Sequence, residues 1–174
     1  MPAERFTRRL NEQIGHELAA HNQYLSCAVH YDALTMPQMA AFFYGQALEE
    51  RAHALMMVQY LLDTGESVQV PAIEAPVSSF ADVVAPVELA LQQEKRVTDQ
   101  INALVVTARD ESDFASEQFL QWFIKEQVEE VATMGDLLNV VRRNAEVVEN
   151  IEEYVAREGG DTGGSSGAPR TAGG

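Results

Sequence analysis

The segment QALEERAHALMM, residues 46–57, places a glutamate and a histidine three positions apart in a stretch that otherwise favours a helix. On a helix, Glu50 and His53 project from the same face, so a carboxylate and an imidazole can bind one metal ion. The same face carries Ala47 and Ala54, which is typical of a face that packs into a core. A buried carboxylate needs a partner, and a metal ion would supply one.

Three other tracts also place a glutamate within the apolar face of a predicted helix. Steps of three and four residues collect apolar side chains around Glu17, Glu94 and Glu130, each in a separate proline-free tract. Carboxylates that face one another in a core repel and are costly to bury, unless cations lie between them. Carboxylates with one imidazole are ligands suited to divalent or trivalent metal ions. The pattern therefore predicts two metal ions at the centre of a four-helix bundle.

Prolines and glycines delimit the helices that must hold these residues. We predict five helices, over residues 6–33, 37–64, 86–110, 113–143 and 145–158. Pro37 suits a first helical turn, Gly65 suits the position after a helix end, and Ser112 or Asp113 suits an N-cap. Short turns make the first two helices antiparallel neighbours, and likewise the next two. A link of about 20 residues joins the second helix to the third and can run the length of a bundle.

Composition limits the kind of protein this is. The 174 residues are 46% hydrophobic, which is typical of one globular domain, and the net charge of −15 disfavours nucleic acid and anionic lipid as partners. Cys27 is the only cysteine, which excludes an intrachain disulfide and a cysteine-rich zinc site. No apolar run approaches the roughly 18 residues of a membrane span, and MPAERFTRRL does not begin a signal peptide. We therefore expect a cytoplasmic protein without a membrane partner.

Taken together, these motifs resemble the non-haem prokaryotic ferritins, the bacterial and actinobacterial type of the ferritin-like superfamily. The resemblance rests on Glu17 and Tyr24 in the first helix, EERAH at 49–53, Glu94, and WFIKEQVEE at 122–130. It implies an all-α fold, in which a ferritin-like four-helix bundle with a long crossover between its second and third helices is followed by a short C-terminal fifth helix. Residues 1–158 would form this di-iron domain.

The resemblance also implies a role for each site residue. The ligands of a di-iron centre would be Glu17, Glu50, His53, Glu94 and Glu130. Glu50 would bridge the two irons, Gln127 would hydrogen-bond near the reacting oxygen, and Tyr24 would donate an electron or a hydrogen bond. A third, weaker iron site would be formed by four acids, Glu49, Glu126, Glu129 and Glu130.

Several of these residues have simpler interpretations. Glu49, Glu126 and Glu129 could belong to solvated helix faces. Tyr24 could be a core tyrosine with a satisfied hydroxyl group, and Trp122 could serve packing instead of electron transfer. His21, His16 and His30 are assigned no metal, and Cys27 is expected to be a buried apolar residue.

Differences from related families narrow the assignment. Bacterioferritins place a haem-binding methionine directly after the bridging glutamate, where this chain has Arg51, so no haem is expected. Their fourth helix also carries a second Glu-x-x-His motif, whereas residues 126–130 read EQVEE. Rubrerythrins require a cysteine-ligated iron domain, which a single cysteine cannot build. Miniferritins place their site between subunits and lack a comparable fifth helix.

The resemblance implies an iron-storage ferritin. Its di-iron ferroxidase centre would oxidise Fe(II) with O2 or peroxide, and ferric mineral would be stored in a hollow shell of roughly 24 copies of the chain. A second hypothesis is a di-iron oxidase or peroxidase of the same family without a storage role. A third is a structural bundle whose carboxylates bind zinc or nothing. The fifth helix and the acids of the third site favour storage over the second hypothesis, and glutamates aligned on four helices weigh against the third.

The last residues, GGDTGGSSGAPRTAGG at 159–174, form a low-complexity segment rich in glycine and serine. Their composition predicts a disordered tail outside the folded domain. Some actinobacterial ferritins with similar tails are packaged by larger protein compartments, so the resemblance also allows SGAPRT to dock on an encapsulating partner as an extended peptide.

Overall fold

The computed structural model describes residues 2–158 and 167–173 of the chain. Within these ranges the secondary structure consists of five helices: α1 (Glu4–Ala33), α2 (Pro37–Asp63), α3 (Ala85–Asp110), α4 (Phe114–Arg143) and α5 (Val148–Glu158). The predicted all-α class and element order are confirmed. No helix in the described ranges is both long and apolar enough to cross a membrane.

The helix ends follow local sequence signals. Pro37 opens α2, Gly65 follows its end with a φ of 75°, and Asp113 caps α4 by accepting a hydrogen bond from the Ser116 N–H at 3.1 Å. The bounds of the first four helices differ from the predicted ones by at most two residues. The cap and turn residues therefore position these helices much as the sequence indicates.

The start of the fifth helix was predicted wrongly. It begins at Val148 and not at Ala145, because a turn separates it from α4. In that turn, the Asn144 side chain donates to the Val140 carbonyl at 2.9 Å, and the Val147 N–H donates to the Asn144 carbonyl at 2.8 Å. Asn144 thus ends α4 by satisfying one of its last carbonyl groups, and α5 must begin after the turn.

The bundle core is divided into two apolar clusters. α1 packs along α2, α3 packs along α4, and α1 also contacts α3. One cluster includes Tyr31 and Met39 and extends to α5, while the other includes Leu10 and Leu61. The predicted site residues occupy the level between these clusters on all four long helices. A polar layer therefore interrupts a continuous apolar core, which is costly unless the layer binds something.

The crossover between α2 and α3 is fastened to α1 by buried amide side chains. Asn11 and Gln23 each make two hydrogen bonds to main-chain groups of the crossover, with distances between 2.6 and 3.0 Å. At Gly15 the crossover comes so close that an added Cβ would lie 2.4 Å from Pro71 Cγ. The link is therefore an ordered part of the domain that covers one side of α1.

The fifth helix also secures the beginning of α2. Ile151 and Val155 are buried in the neighbouring apolar cluster. The Glu152 carboxylate accepts hydrogen bonds from the main-chain N–H groups of Gln38 and Met39, at 2.8 and 2.9 Å. The N-cap residue of α2 supplies no side-chain hydrogen bond of its own. Glu152 therefore caps α2 from another helix and places a negative charge at its N-terminus.

We predict that Glu152→Ala lowers the free energy of unfolding by about 1–2 kcal/mol, because two main-chain donors lose their acceptor. Thermal or denaturant unfolding measures this change. Glu153→Ala is the matched control, since Glu153 has the same charge, lies on the same helix and is exposed. Equal stability of the two variants would contradict the capping role.

Part of the C-terminal tail lies against the bundle. Residues 167–173 are described, and the Ala172 N–H donates to the Leu55 carbonyl in α2 at 3.1 Å. The tail was predicted to be disordered over residues 159–174, and of these, residues 159–166 and 174 lie outside the described residues. The end of the tail therefore contacts α2 through this hydrogen bond. The function of the tail stays a prediction.

Candidate metal centre

The site is built from side chains of α1, α2, α3 and α4. Seven of the predicted site residues are buried, and none of them is more than 6% exposed: Glu17, Tyr24, Glu50, His53, Glu94, Gln127 and Glu130. Charged and polar groups are rarely buried to this extent unless they are paired or bind a ligand. Their burial on four different helices makes the centre a property of the whole bundle.

Glu17, Glu50 and His53 converge on one point. Each offers one ligand atom, and these three atoms lie within 4.8 Å of one another. His53 Nδ1 is 3.4 Å from Glu50 Oε2 and 3.9 Å from Glu17 Oε2. Both of those carboxylate oxygens are buried and have no hydrogen-bond partner among the residues that the structure describes. Unpaired lone pairs that surround one small space fit a cation, so this donor set is suited to a hard metal ion.

Surrounding side chains fix the orientation of these three ligands. Gln13 donates to Glu17 Oε1 at 2.8 Å, which leaves Oε2 directed at the shared space. The rings of Trp122 and Phe123 pack edge-on against His53, with centroids 5.5 and 5.9 Å away. Burial lowers the pKa of His53, although the charge of Glu17 opposes the change. A neutral imidazole keeps a lone pair available for a metal ion.

Glu94 lies at the second half of the centre, where two neutral side chains hold it. The Tyr24 hydroxyl donates a hydrogen bond to Glu94 Oε1. Gln127 Nε2 donates to Glu94 Oε2 at 3.1 Å. Burial raises the pKa of Glu94 to about 7, and the hydrogen bond from Tyr24 partly opposes this rise. Burial and the Glu94 charge raise the pKa of Tyr24 well above its usual value, so the phenol keeps its proton.

The pKa values of Glu50 and Glu130 are also raised. Burial, followed by the charges of Glu94 and Glu17, raises the pKa of Glu50 well above its usual range. Burial and the charges of Glu94 and Glu49 do the same for Glu130. The metal-free centre therefore retains protons near neutral pH, and a bound cation would displace them.

The outer acids are arranged more loosely. Glu49 and Glu126 are partly buried, whereas Glu129 is exposed and pairs with Lys125 at 3.6 Å. Within residues 2–158 and 167–173, only Glu17, Glu50 and His53 bring three ligand atoms within 4.8 Å of one another. The structure thus places these acids beside Glu130 on α2 and α4 without closing them into a compact metal cage.

Two buried glutamines were missed by the sequence analysis. Gln13 lies four residues before Glu17, and Gln46 lies four residues before Glu50. Both are 3% exposed, and both donate hydrogen bonds to glutamates of the site. A glutamine one helical turn before a ligand glutamate, on the core face, is a signal that could have identified them.

The remaining histidines lie outside the centre. His21 Nδ1 is 2.6 Å from the Ala47 carbonyl, so this ring makes a main-chain hydrogen bond between α1 and α2. His16 is exposed, and His30 packs against Phe80 with ring centroids 5.1 Å apart. His53 is therefore the histidine that the fold directs toward the buried acids.

Comparisons with known proteins agree with this architecture. The chain matches the ferritin-like domain over residues 7–144. It is 46% identical over 170 residues to "Ferritin BfrB" of Mycolicibacterium smegmatis, covering 98% of this chain and 94% of the relative. It is 34% identical over 143 residues to the "Bacterial non-heme ferritin" of Staphylococcus aureus, covering 82% and 86% of the two chains.

Solved structures give the same result. A structure of the open-pore ferritin from the archaeon Archaeoglobus fulgidus superposes with a TM-score of 0.85 and 32% sequence identity, covering 89% of this chain and 96% of the other. An engineered closed form of that ferritin gives a TM-score of 0.86 at 31% identity. The buried acids of the site lie within residues 7–144, which match the ferritin-like domain. The chain belongs to the ferritin-like family.

Proposed function

We propose that this protein is the subunit of an iron-storage ferritin and that its buried centre oxidises Fe(II). The observation that supports this most directly is the convergence of Glu17 Oε2, Glu50 Oε2 and His53 Nδ1, since both oxygens are buried and unpaired. A hard cation satisfies all three atoms together, and iron is the cation that a ferritin handles. Iron is here the substrate and the stored product.

Two Fe(II) ions would occupy the centre together. Glu17, Glu50 and His53 would hold one ion, and Glu94 and Glu130 would hold the other, with Glu50 between them. Two adjacent Fe(II) ions can each give up one electron in a single encounter. One O2 would take up both electrons and two protons to form hydrogen peroxide, or one hydrogen peroxide would take up both and two protons to form two waters.

The neighbouring neutral side chains prepare the centre for this chemistry. The Tyr24 hydroxyl and the Gln127 amide hold the two Glu94 oxygens in place. Because its pKa is raised, Tyr24 remains a hydrogen-bond donor. Protons held on Glu50 and Glu94 leave as the cations bind, so proton release offsets part of the positive charge that the two Fe(II) ions bring.

Storage adds requirements beyond oxidation. Ferric product would move from the centre to the outer acids Glu49, Glu126 and Glu129 and then into the cavity of a shell of roughly 24 subunits. The shell would be cytoplasmic. No haem is proposed, because Arg51 occupies the position of the haem-binding methionine and its side chain is exposed.

Aerobic addition of Fe(II) to the purified protein tests this proposal. We expect rapid oxidation of about two Fe(II) per subunit, followed by slower accumulation of ferric mineral in a particle of several hundred kilodaltons, as expected for roughly 24 chains. Absorbance follows oxidation, and light scattering gives particle size. Rapid oxidation without mineral would favour the oxidase hypothesis, while a stable 19.2 kDa monomer without oxidation would refute the proposal.

A further inference from the structure

Gln46 connects the buried centre to the outer acids. It lies on α2, it is 3% exposed, and its Nε2 donates to Glu49 Oε2 at 2.6 Å. The same side chain also forms a hydrogen bond with Glu130 on α4. Its carbonyl oxygen, Oε1, is buried without a partner. Gln46 therefore contacts one acid of the outer group and one acid of the inner centre, and it offers a further oxygen that nothing uses.

An uncharged amide is well suited to this position. Glu49 and Glu130 repel each other, and the NH2 group can donate one proton to each of them. A lysine or arginine there would compete with an arriving cation, whereas an amide adds no charge. If the amide rotates, its unpaired Oε1 faces the space between the two acids and becomes a metal ligand.

We propose that Gln46 is a positioning residue for the passage of metal from the buried centre to the outer acids. Without metal, its NH2 group holds Glu49 and Glu130 near each other. When a cation arrives between these acids, the amide rotates and its Oε1 becomes a further ligand. This inference rests on the proposed function for its kinetic consequence, but its metal-binding consequence is independent of oxidation.

Loss of the Gln46 amide should therefore affect the first round of Fe(II) oxidation much less than later rounds. The hydrogen-bond partners of Gln46 are Glu49 and Glu130, not Glu17 or His53. Removing the amide should leave the first oxidation within about threefold of wild type, because the Glu17, Glu50 and His53 set is unchanged and Glu130 loses one hydrogen-bond donor but keeps its carboxylate. Movement of oxidised iron from the buried centre to the outer acids should slow about tenfold, as is typical when a group that orients metal ligands is removed.

Gln46→Met tests this, since methionine preserves volume and helix propensity but removes the donor and the carbonyl oxygen. Two aerobic pulses of Fe(II), each of two ions per subunit, are separated by a fixed interval. We expect the first pulse to be oxidised nearly as in wild type and the second to be about tenfold slower.

Gln93→Met is the matched control. Gln93 is also a buried glutamine on a long helix, 8% exposed, and its Nε2 has no partner. The same chemical change at this position should leave both pulses unaffected. A second-pulse defect in Gln93→Met equal to that of Gln46→Met would mean that general loosening of the core explains the result, and the proposal would be overturned.

Titration with Zn(II) under anaerobic conditions separates this inference from the proposed function. Calorimetry should show one fewer Zn(II) per subunit in Gln46→Met than in wild type or Gln93→Met. An unchanged stoichiometry together with a normal second pulse would overturn the role of Gln46. Failure of wild type to oxidise the first pulse would instead count against ferroxidase activity, and the Zn(II) result would still decide the role of Gln46.

Discussion

Glu50→Ala is expected to slow the initial oxidation of Fe(II) by at least about 100-fold, the upper range seen when even outer partners of a metal site are removed. Glu50 lies between the other acids, with Oε2 3.4 Å from His53 Nδ1 and its charge coupled to both Glu17 and Glu94. Its loss removes the group that would hold two ions together, so paired electron transfer to O2 fails. Stopped-flow absorbance of the ferric product measures the effect.

The variant should still fold. The metal-free centre disfavours a charge on Glu50, because burial and neighbouring carboxylates raise its pKa, so the substitution removes a group that is costly to ionise in the core. Circular dichroism and particle size verify the fold, and Glu50→Gln provides a variant of unchanged volume. Glu12→Ala, at an exposed glutamate of α1, is the control that should oxidise Fe(II) at the wild-type rate. Oxidation of Fe(II) by Glu50→Ala at the wild-type rate would show that Glu50 is not a ligand of the centre.

The periodicity of apolar residues and the positions of prolines and glycines were sufficient to predict the helical bundle. Long proline-free tracts with apolar residues at steps of three and four gave four helices with bounds within two residues of the observed ones. The turn at Asn144 was missed because it depends on a side chain that donates to the Val140 carbonyl, which helical periodicity does not reveal. The cap that Glu152 provides for α2 was also beyond sequence analysis, since it joins residues more than a hundred positions apart.

The buried ligands of the site could be predicted from the sequence more fully than the outer acids and the supporting glutamines. Types and spacing predicted the Glu50 and His53 pair and a core position for Glu17, and the family resemblance grouped the three around one ion. The fold brings their ligand atoms together. The acids Glu126 and Glu129 occupy helix positions that are also suited to solvent, and spacing alone cannot distinguish those roles. Gln13 and Gln46 were missed because the search followed charged residues, although each lies one helical turn before a ligand glutamate on the core face.

The division of the core explains why metal and stability should be coupled. Two apolar clusters stabilise the ends of the bundle, while the carboxyl groups between them are costly to ionise without a cation. Protons and metal ions therefore compete for the same oxygens. Raising the pH of the metal-free protein removes the protons without supplying a replacement, so the centre becomes a source of instability.

Glu94→Gln should therefore make the metal-free protein more stable than wild type, increasingly so as the pH rises. The pKa of Glu94 is raised by burial from about 4.5 to about 7. Between these values the unfolded chain has lost the proton that the folded chain retains, so the wild-type free energy of unfolding falls as the pH rises through this window. The neutral amide of glutamine does not titrate. The stability difference should approach about 3 kcal/mol above pH 7 and nearly vanish below pH 4.5.

The local hydrogen bonds allow this substitution. A glutamine at position 94 can still accept from the Tyr24 hydroxyl, and Gln127 can rotate its amide so that its unpaired Oε1 accepts from the new side chain. Thermal unfolding in the presence of a chelator, at several pH values, measures the difference. Asp99→Asn, at an exposed acid of the same helix, should show no such dependence on pH. Added Zn(II) should reverse the order, because wild type retains one more carboxylate ligand. A stability difference that does not change with pH would show that Glu94 is ionised in the metal-free fold and that protons do not occupy the centre.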